Sequence, residues 1–336
     1  MIGSGGITLE DVAREASVSR ATASRVVRGD AGVSGDKVAA VKRAVRDLGY
    51  VPNRAARSLV TRRTDTIALV VPEPEVRIFS DPFFARTVQA ISRSLEDTSV
   101  QLVMAFADRL GGHGRLRSFL HDGHVDGAIV ASHHNIHGQS EAFVEAPIPV
   151  VFIGRPLLAV PTDAFVDVDN LEGGRLAARR LWERGKRRPA IITGTLDMVA
   201  AQDRREGFLS EFRARGVEVV EVAGDYTRES GGRAARELAP RIRSGDVDSV
   251  FSSSDLMSRG ALAVWADMGV SVPEDVSLVS FDNFDAEDTA PPLTAVDNPV
   301  AEMAAAAVRM LRDLMEGQET EQPVRLPAHL VVRASA

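Results

Sequence analysis

Residues 8–59 read TLEDVAREASVSRATASRVVRGDAGVSGDKVAAVKRAVRDLGYVPNRAARSL, and this stretch decides what the rest of the chain is for. It spells three short helices followed by a basic segment. Thr8 with Asp11 three residues on is a capping signature, in which the hydroxyl takes an orphan N–H and the carboxylate favours the positive end of the helix. Leu9, Val12, Ala13 and Ala16 form one apolar face. Ser17 and Val18 make a tight connection, and Ser19 caps a second helix continued by Thr22, Ala23, Val26 and Val27. Two short helices joined this closely form a helix-turn-helix, whose second helix enters the major groove with its N-terminal residues at base edges. Its exposed positions are read as Arg20, Ala21, Ser24, Arg25 and Arg28. Arginine pairs with guanine O6 and N7, and alanine can touch a thymine methyl. Ser34 caps a third helix with Val38, Val41, Val45 and Leu48 inside, and Gly49 ends it.

Charge separates a DNA-binding head from a generic three-helix bundle. Residues 1–64 hold 12 basic and 6 acidic side chains, a net charge of +6, whereas the whole chain is −7, which leaves −13 on residues 65–336. A basic head on an acidic body presents one end to phosphates.

From Tyr50 the sequence YVPNRAARSL continues the pattern, and here the chain resembles the lactose repressor (LacI/GalR) family of bacterial transcription regulators. Helix-turn-helix, third helix and this segment follow in the family's order and spacing. The resemblance implies a hinge helix that Asn53 caps and that orders when two subunits sit on an operator. It places Leu59 at the wedge position, inserted between central base steps of the minor groove. Arg54, Ala56 and Arg57 lie on the same segment, with the two arginines suited to phosphates. Arg20 and Ala21 fall on the main base-reading positions, and Thr8, Ser19 and Thr22 join the expected DNA-facing set. Two features depart from the family: Ser17 stands where Gly is usual, so the turn must be made either without a residue free to take positive φ or with some strain, and Arg28 stands where Asn is usual. The implied organisation is a helix-turn-helix domain at 1–51, a hinge and linker at 52–64, and a ligand-binding and dimerisation domain at 65–336.

Length and composition agree. A chain of 336 residues suits two large units of about 150 residues beside a small head. Hydrophobic residues make up 44%, enough for a substantial core. There is no cysteine, hence no disulfide, thiolate metal site or cysteine nucleophile. No run of about 18 apolar residues marks a membrane span. The opening MIGSGG has neither a charged n-region nor an apolar h-region, so a cytoplasmic protein is expected.

Strands and helices alternate through the body. Strands are expected at 66–71, 100–105, 127–130 and 150–153, with helices at 82–95 and 115–121 between them. A second round follows: strands at 189–193, 217–222, 249–252 and 276–280, helices at 173–184, 204–215, 231–243 and 255–268. A last helix at 299–315 and a strand near 324–330 cross back. Such alternation implies an α/β fold of parallel, doubly wound sheets with right-handed crossovers, here two lobes. The family resemblance implies a periplasmic-binding-protein-like body, and small ligands sit at the carboxyl ends of such strands and between lobes.

The same resemblance supplies ligand-binding candidates. DPFF at 81–84 looks like the segment opening the first cleft helix, with Phe83 and Phe84 as apolar faces. AQDRREGF at 201–208 carries Arg204 on the position that clamps sugar hydroxyls. VSFDN at 279–283 ends a strand with Asp282 as a hydroxyl acceptor. Asn298 lies where Gln is common, Tyr226 where an aromatic often lines the cleft, and Asp255 ends SSSD, where the family has an Asn-Asp pair. Gly154 replaces a carboxylate found in some members, and Arg155 follows it. The chemistry is polyol recognition: a charged fork and a carboxylate satisfy paired hydroxyls, and aromatic faces take a sugar ring. The segment at 73–80 is longer than usual and adds Arg77 and Phe79, expected to reach over the ligand.

Other motifs are read as structural. His133, His134 and His137 show no metal-ligand spacing, and GGHG at 111–114 is a turn rather than a phosphate loop. No cofactor, metal site or Ser/His/Asp set is expected. The expected function is a DNA-binding regulator, a repressor, that binds a pseudo-palindromic operator as a homodimer and answers to a sugar or sugar derivative; dimer or tetramer stays open. The alternatives are a sugar-binding receptor or transport component without regulatory DNA binding, and a sugar-processing enzyme. A co-regulator protein could replace the sugar as signal.

Overall fold

A computed structural model describes residues 7–29, 31–51, 63–106, 113–134, 139–157 and 163–336. The hinge candidates Asn53, Arg54, Ala56, Arg57 and Leu59 lie outside the described residues, as do His137 and Gly111. The chain divides into two compact units, Met1–Thr64 and Asp65–Ala336.

The first unit holds α1 (Leu9–Glu15), α2 (Arg20–Arg28) and α3 (Gly35–Leu48). They close on a small core in which Val12, Ala23 and Val41 are fully buried. Thr8 and Asp11 form the expected capping box: the Asp11 N–H donates to Thr8 Oγ1, and the Thr8 N–H donates to Asp11 Oδ2 at 3.0 Å. Ser19 accepts from the Thr22 N–H at 3.1 Å. Ser34 sits at the N-cap of α3 but makes no side-chain capping bond, so its expected role reduces to an extended backbone leading into the helix. Gly29 and Gly49 end α2 and α3 in the left-handed conformation.

The second unit is two stacked α/β lobes. Lobe one contains β1 (Thr66–Val71), α4 (Glu75–Ser80), α5 (Pro82–Leu95), β2 (Gln101–Phe106), α6 (His113–His121), β3 (Gly127–Ala131), α7 (Gln139–Val144), β4 (Val150–Ile153) and β5 (Phe165–Val168). Lobe two contains α8 (Asn170–Glu183), β6 (Pro189–Thr193), α9 (Val199–Arg213), β7 (Val220–Ala223), α10 (Arg228–Arg243), β8 (Ser249–Ser252), α11 (Asp255–Asp267), β9 (Ser277–Asp282) and β10 (Thr294–Asp297). Helix α12 (Val300–Met315) then returns to pack on α5 and on β3, β4 and β5. With β11 (Val324–Leu326) and β12 (His329–Val331), the sheet orders are β11-β5-β4-β3-β1-β2 and β12-β10-β9-β8-β6-β7. Central strands such as β1 and β3 are buried on both faces, which explains their unbroken apolar runs.

Several expectations move. The single strand near 324–330 is two: β11 (Val324–Leu326) runs parallel to β5 in lobe one, and β12 (His329–Val331) runs antiparallel to β10 in lobe two. The chain therefore passes between lobes at 168–170, 297–300 and 326–329. The segment at 73–80 carries helix α4 rather than an open connection. Helix α9 begins at Val199, which puts Arg204 inside the helix instead of at its start. His113 opens α6, so the GGHG turn ends sooner than expected. The strand expected at 217–222 is β7, starting at Val220.

Ser17 carries the turn of the helix-turn-helix at φ +51°, the left-handed region where glycine is at ease. Ser17→Gly is expected to stabilise this turn by about 0.5–1 kcal/mol, the left-handed penalty less the entropy of glycine. Amide hydrogen exchange of residues 9–28 in the full-length chain checks it, as slower exchange in the variant.

Candidate functional site

The recognition helix comes first. Arg20, Ala21 and Arg25 are exposed on α2, whereas Ser24 is half-buried beside Thr22, so Ser24 is less available than its helical position promised. Arg28 closes the helix. Arg20 Nε pairs with Glu10 Oε1 at 2.6 Å, both side chains largely exposed. An exposed pair of this kind is worth little, so it leaves the Arg20 fork free to change partner. Thr8 and Ser19 spend their hydroxyls on capping contacts at the starts of α1 and α2.

In the body, the carboxyl ends of the strands of both lobes face one cleft, and all eight ligand-binding candidates line it: Phe83, Phe84, Arg155, Arg204, Tyr226, Asp255, Asp282 and Asn298. The cleft holds about 940 Å³ of space between its walls, part of it open solvent. Phe84 is both core and wall, buried with its ring 5.2 Å edge-on from Phe83.

Arg204 is the centre. Gly174 of α8 and Gly207 of α9 let the two helix backbones meet. A Cβ on Gly207 would lie 2.0 Å from the Leu171 carbonyl, and one on Gly174 would lie 2.2 Å from the Arg204 carbonyl. The guanidinium projects from this contact. Its Nε donates to Asn170 Oδ1 at 2.8 Å, its Nη1 donates to the Ser253 carbonyl at 2.7 Å and lies 3.5 Å from Asp282 Oδ1, and its plane stacks 3.5 Å from the Phe281 ring. Asp282 stands at φ +97° and Asn283 at +60°, a strained strand end that aims the carboxylate inward. Asn298 Nδ2 donates to Asp282 Oδ1 at 3.1 Å, while Asn298 Oδ1 is buried with no partner among the described residues.

Buried carboxyls ring this cation. Asp255, the first residue of α11, accepts from Ser280 Oγ and the Phe284 N–H, each at 2.5 Å. Burial, then the neighbouring Asp282 charge, pushes its pKa up to about 8. Burial raises Asp167 and Asp81 to about 6. His133 titrates at about 4 because burial disfavours its charged form, so it faces the cleft as a neutral ring between Phe143 and Phe152. Asp167 and Asn170 are absent from the sequence reading, Asp81 enters it only as the start of DPFF, and His133 is read there as structural. Each sits at a strand end or helix start facing the cleft, and that position was the only signal available.

Two ion pairs and one histidine–carboxylate hydrogen bond span the cleft. Arg155 Nη2 donates to both oxygens of Asp203 at 2.7 and 2.9 Å, so it braces the lobes as well as lining the site. Arg86 pairs with Asp285 at 2.7 Å and lies over the Phe284 ring. His134, fully buried, meets Glu73 Oε1 at 2.6 Å from its own lobe and Asp197 Oδ2 at 2.9 Å from the other. Phe79 does not reach over the site: it is 79% exposed against Phe106, because it lies roughly 200° around α4 from Arg77, which does line the cleft. Among the described residues no cluster of three or more His, Asp or Glu is arranged to hold a metal ion.

Residues 8–53 match the family model for bacterial regulatory proteins of the lacI family, and residues 178–336 match that of a periplasmic binding protein-like domain. The HTH-type transcriptional regulator CelR of Thermobifida fusca is 45% identical over 336 residues, covering 98% of both chains. A solved CelR–cellobiose complex is 43% identical, with a TM-score of 0.75 over 98% of this chain and 100% of that one. The lac repressor dimer bound to operator and an anti-inducer shares the fold, with a TM-score of 0.85 at 24% identity, over 98% of this chain and 99% of that one.

Asp255 gives a pH prediction. Its folded pKa, about 8, lies above its ordinary value of 3.8, so the folded state holds a proton that the unfolded chain releases. This group therefore lowers stability progressively as pH rises from about 4 to about 8. Asp255→Asn keeps a neutral carbonyl acceptor and is expected to flatten that part of the profile. Unfolding temperatures of both proteins at pH 5 and pH 8 check it, with the gap in favour of the variant wider at pH 8.

Proposed function

The chain belongs to the LacI family of bacterial transcription regulators, and from that membership we propose that it is a repressor whose effector is a neutral sugar held between the two lobes. The observation that carries this reading is the balance of charge in the cleft. Of the four arginines that line it, Arg77, Arg155 and Arg204 already face Glu73, Asp203 and Asp282, and Arg259 donates to the carbonyls of Phe284 and Asp285. A phosphorylated ligand would find little uncommitted positive charge. Hydroxyls suit the site better, since each can donate to Asp282 or Asn298 Oδ1 while accepting from Arg204. Phe83 and Tyr226 offer apolar faces. Cellobiose is the first candidate, because the similar regulator CelR has been solved with it.

The mechanism follows from differential binding. The operator-bound form is a homodimer, since a two-fold operator needs paired recognition helices. Arg20, Ala21 and Arg25 read bases, with Arg28 and the hinge arginines on phosphates. A sugar that prefers one relative position of the lobes shifts the population towards it, and operator affinity changes by the same coupling free energy. The protein acts in the cytoplasm, where operator DNA lies. Among the described residues no helix is long and apolar enough to cross a membrane.

Following the unfolding temperature of the purified chain with cellobiose, glucose and a phosphorylated disaccharide tests the ligand class. A concentration-dependent rise with the neutral sugars alone is expected, and a rise only with the phosphorylated sugar would overturn the reading. Arg204→Ala is expected to weaken sugar binding by about 100-fold or more, as two charge-assisted hydrogen bonds are lost, while operator binding at low salt persists. Leu59→Ala is expected to do the reverse, weakening the operator complex about tenfold or more while sugar affinity holds. Gel-shift and calorimetric titrations of the two variants separate the roles.

A further inference from the structure

Helix α4 stands at the mouth of the cleft with two faces of opposite character. Its outer face shows Val76 and Phe79 to solvent. Its inner face buries Ile78 and turns Arg77 into the cleft. A carboxylate fixes that arginine: Arg77 Nη1 lies 3.0 Å from Glu73 Oε1. Glu73 is itself only 1% exposed and is held by Ser132 Oγ and His134 Nε2, each at 2.6 Å. Burial opposes ionisation of Glu73, yet the hydrogen bond to His134, the charge of Arg77 and the Ser132 hydroxyl together keep its pKa below the usual value. The anchor leaves Arg77 Nε buried with no partner among the described residues.

Tyr226 meets Arg77 from the other lobe. The Arg77 guanidinium carbon is 5.3 Å from the centre of its ring. Tyr226 is held at φ +66°, and its ring presses on Gly194, where a Cβ would fall 2.0 Å from the ring. Its hydroxyl is buried and unpartnered among the described residues. A donor from lobe one and a hydroxyl from lobe two, both without a partner among the described residues, thus belong to side chains that face each other across the cleft. Leaving buried polar groups unpaired is unfavourable, so two together in a ligand cleft call for a partner that folding does not provide. They are different polar atoms from the Arg204, Asp282 and Asn298 group proposed for the first sugar ring, and Tyr226 borders both in the same cleft.

We propose that Arg77 and Tyr226 form a second sugar subsite, built on α4, that binds the outer ring of a neutral disaccharide and makes the regulator select it over a monosaccharide. This rests on the reading of the cleft as a sugar site. Arg77 Nε–H donates to one hydroxyl of the outer ring, the Tyr226 hydroxyl completes a neighbouring one, and Glu73 cancels the charge of Arg77 so that a neutral ring is preferred. Arg77 is the specificity-determining residue, with Glu73 and His134 as its positioning residues.

Calorimetric titration of the full-length protein with cellobiose and with glucose tests it, beside unfolding temperatures. The unaltered chain is expected to prefer cellobiose. Arg77→Ala should lose about tenfold in cellobiose affinity with glucose affinity nearly unchanged. Arg77→Lys keeps a charge beside Glu73 and should match the unaltered chain in unfolding temperature while losing the same selectivity. Tyr226→Phe removes only the unpartnered hydroxyl, and should weaken cellobiose binding without lowering the unfolding temperature. If neither sugar binds the unaltered chain, the sugar reading fails and the subsite with it. If cellobiose binds but either Arg77 variant keeps the cellobiose-to-glucose ratio, or loses both sugars equally, the subsite alone is overturned.

Discussion

A buried guanidinium organises the second unit. Arg204 is only 6% exposed, and a cation so placed is tolerable only when its donors and its charge are answered. Asn170 at the start of α8, the Ser253 carbonyl after β8, the Asp282 carboxylate at the end of β9 and the Phe281 ring answer them. Elements distant in sequence are therefore fixed to one another by a single side chain. The close α8–α9 contact, which only glycine at 174 and 207 allows, is what aims that side chain at the cleft. The strained backbone at Asp282 and Asn283 is the local cost of presenting the carboxylate there.

The surrounding carboxyls follow from the same constraint. One cation cannot neutralise every acid that the strand ends bring together. Asp282 faces Arg204, and Asp255 avoids a second negative charge by holding its proton. The result is a site with charge in balance, hydrogen-bonding capacity in excess and aromatic walls. Such a site discriminates by hydroxyl geometry rather than by net charge. The pairs Arg155–Asp203, Arg86–Asp285 and Glu73–His134–Asp197 join the lobes around it, so a ligand that changes the lobe separation must break or remake them. A ligand that favours another lobe separation therefore works against these contacts, as the proposed coupling between effector and operator requires.

Much of this was legible in the chain. The capping residues Thr8 and Ser19 mark the first two helices because a side-chain oxygen three residues before a free N–H is a local signal. Apolar runs such as TIALVV mark strands buried on both faces. Where the reading slipped, the missing information was not local. Ser34 has the residue type of a cap but makes no capping bond. Residues 73–80 have no apolar periodicity strong enough to announce a six-residue helix, and 324–330 read as one strand because only pairing to different sheets divides it. Phe79 and Arg77 looked equivalent as additions to the cleft mouth, and helix geometry sent one outward and one inward.

The sequence by itself determined the helix-turn-helix with its basic surface, the alternating strands and helices, and the residue types that converge on the cleft, because capping, periodicity and charge act over a few residues. Only the tertiary structure decided that Asp255 is a protonated acid, that Arg155 is committed to Asp203 across the cleft, and that Arg77 meets Tyr226 with unpaired polar atoms on both. Those properties depend on burial and on partners in other elements, tens of residues or more away along the chain. No local pattern encodes such distances, and the packing of two sheets around one buried cation does.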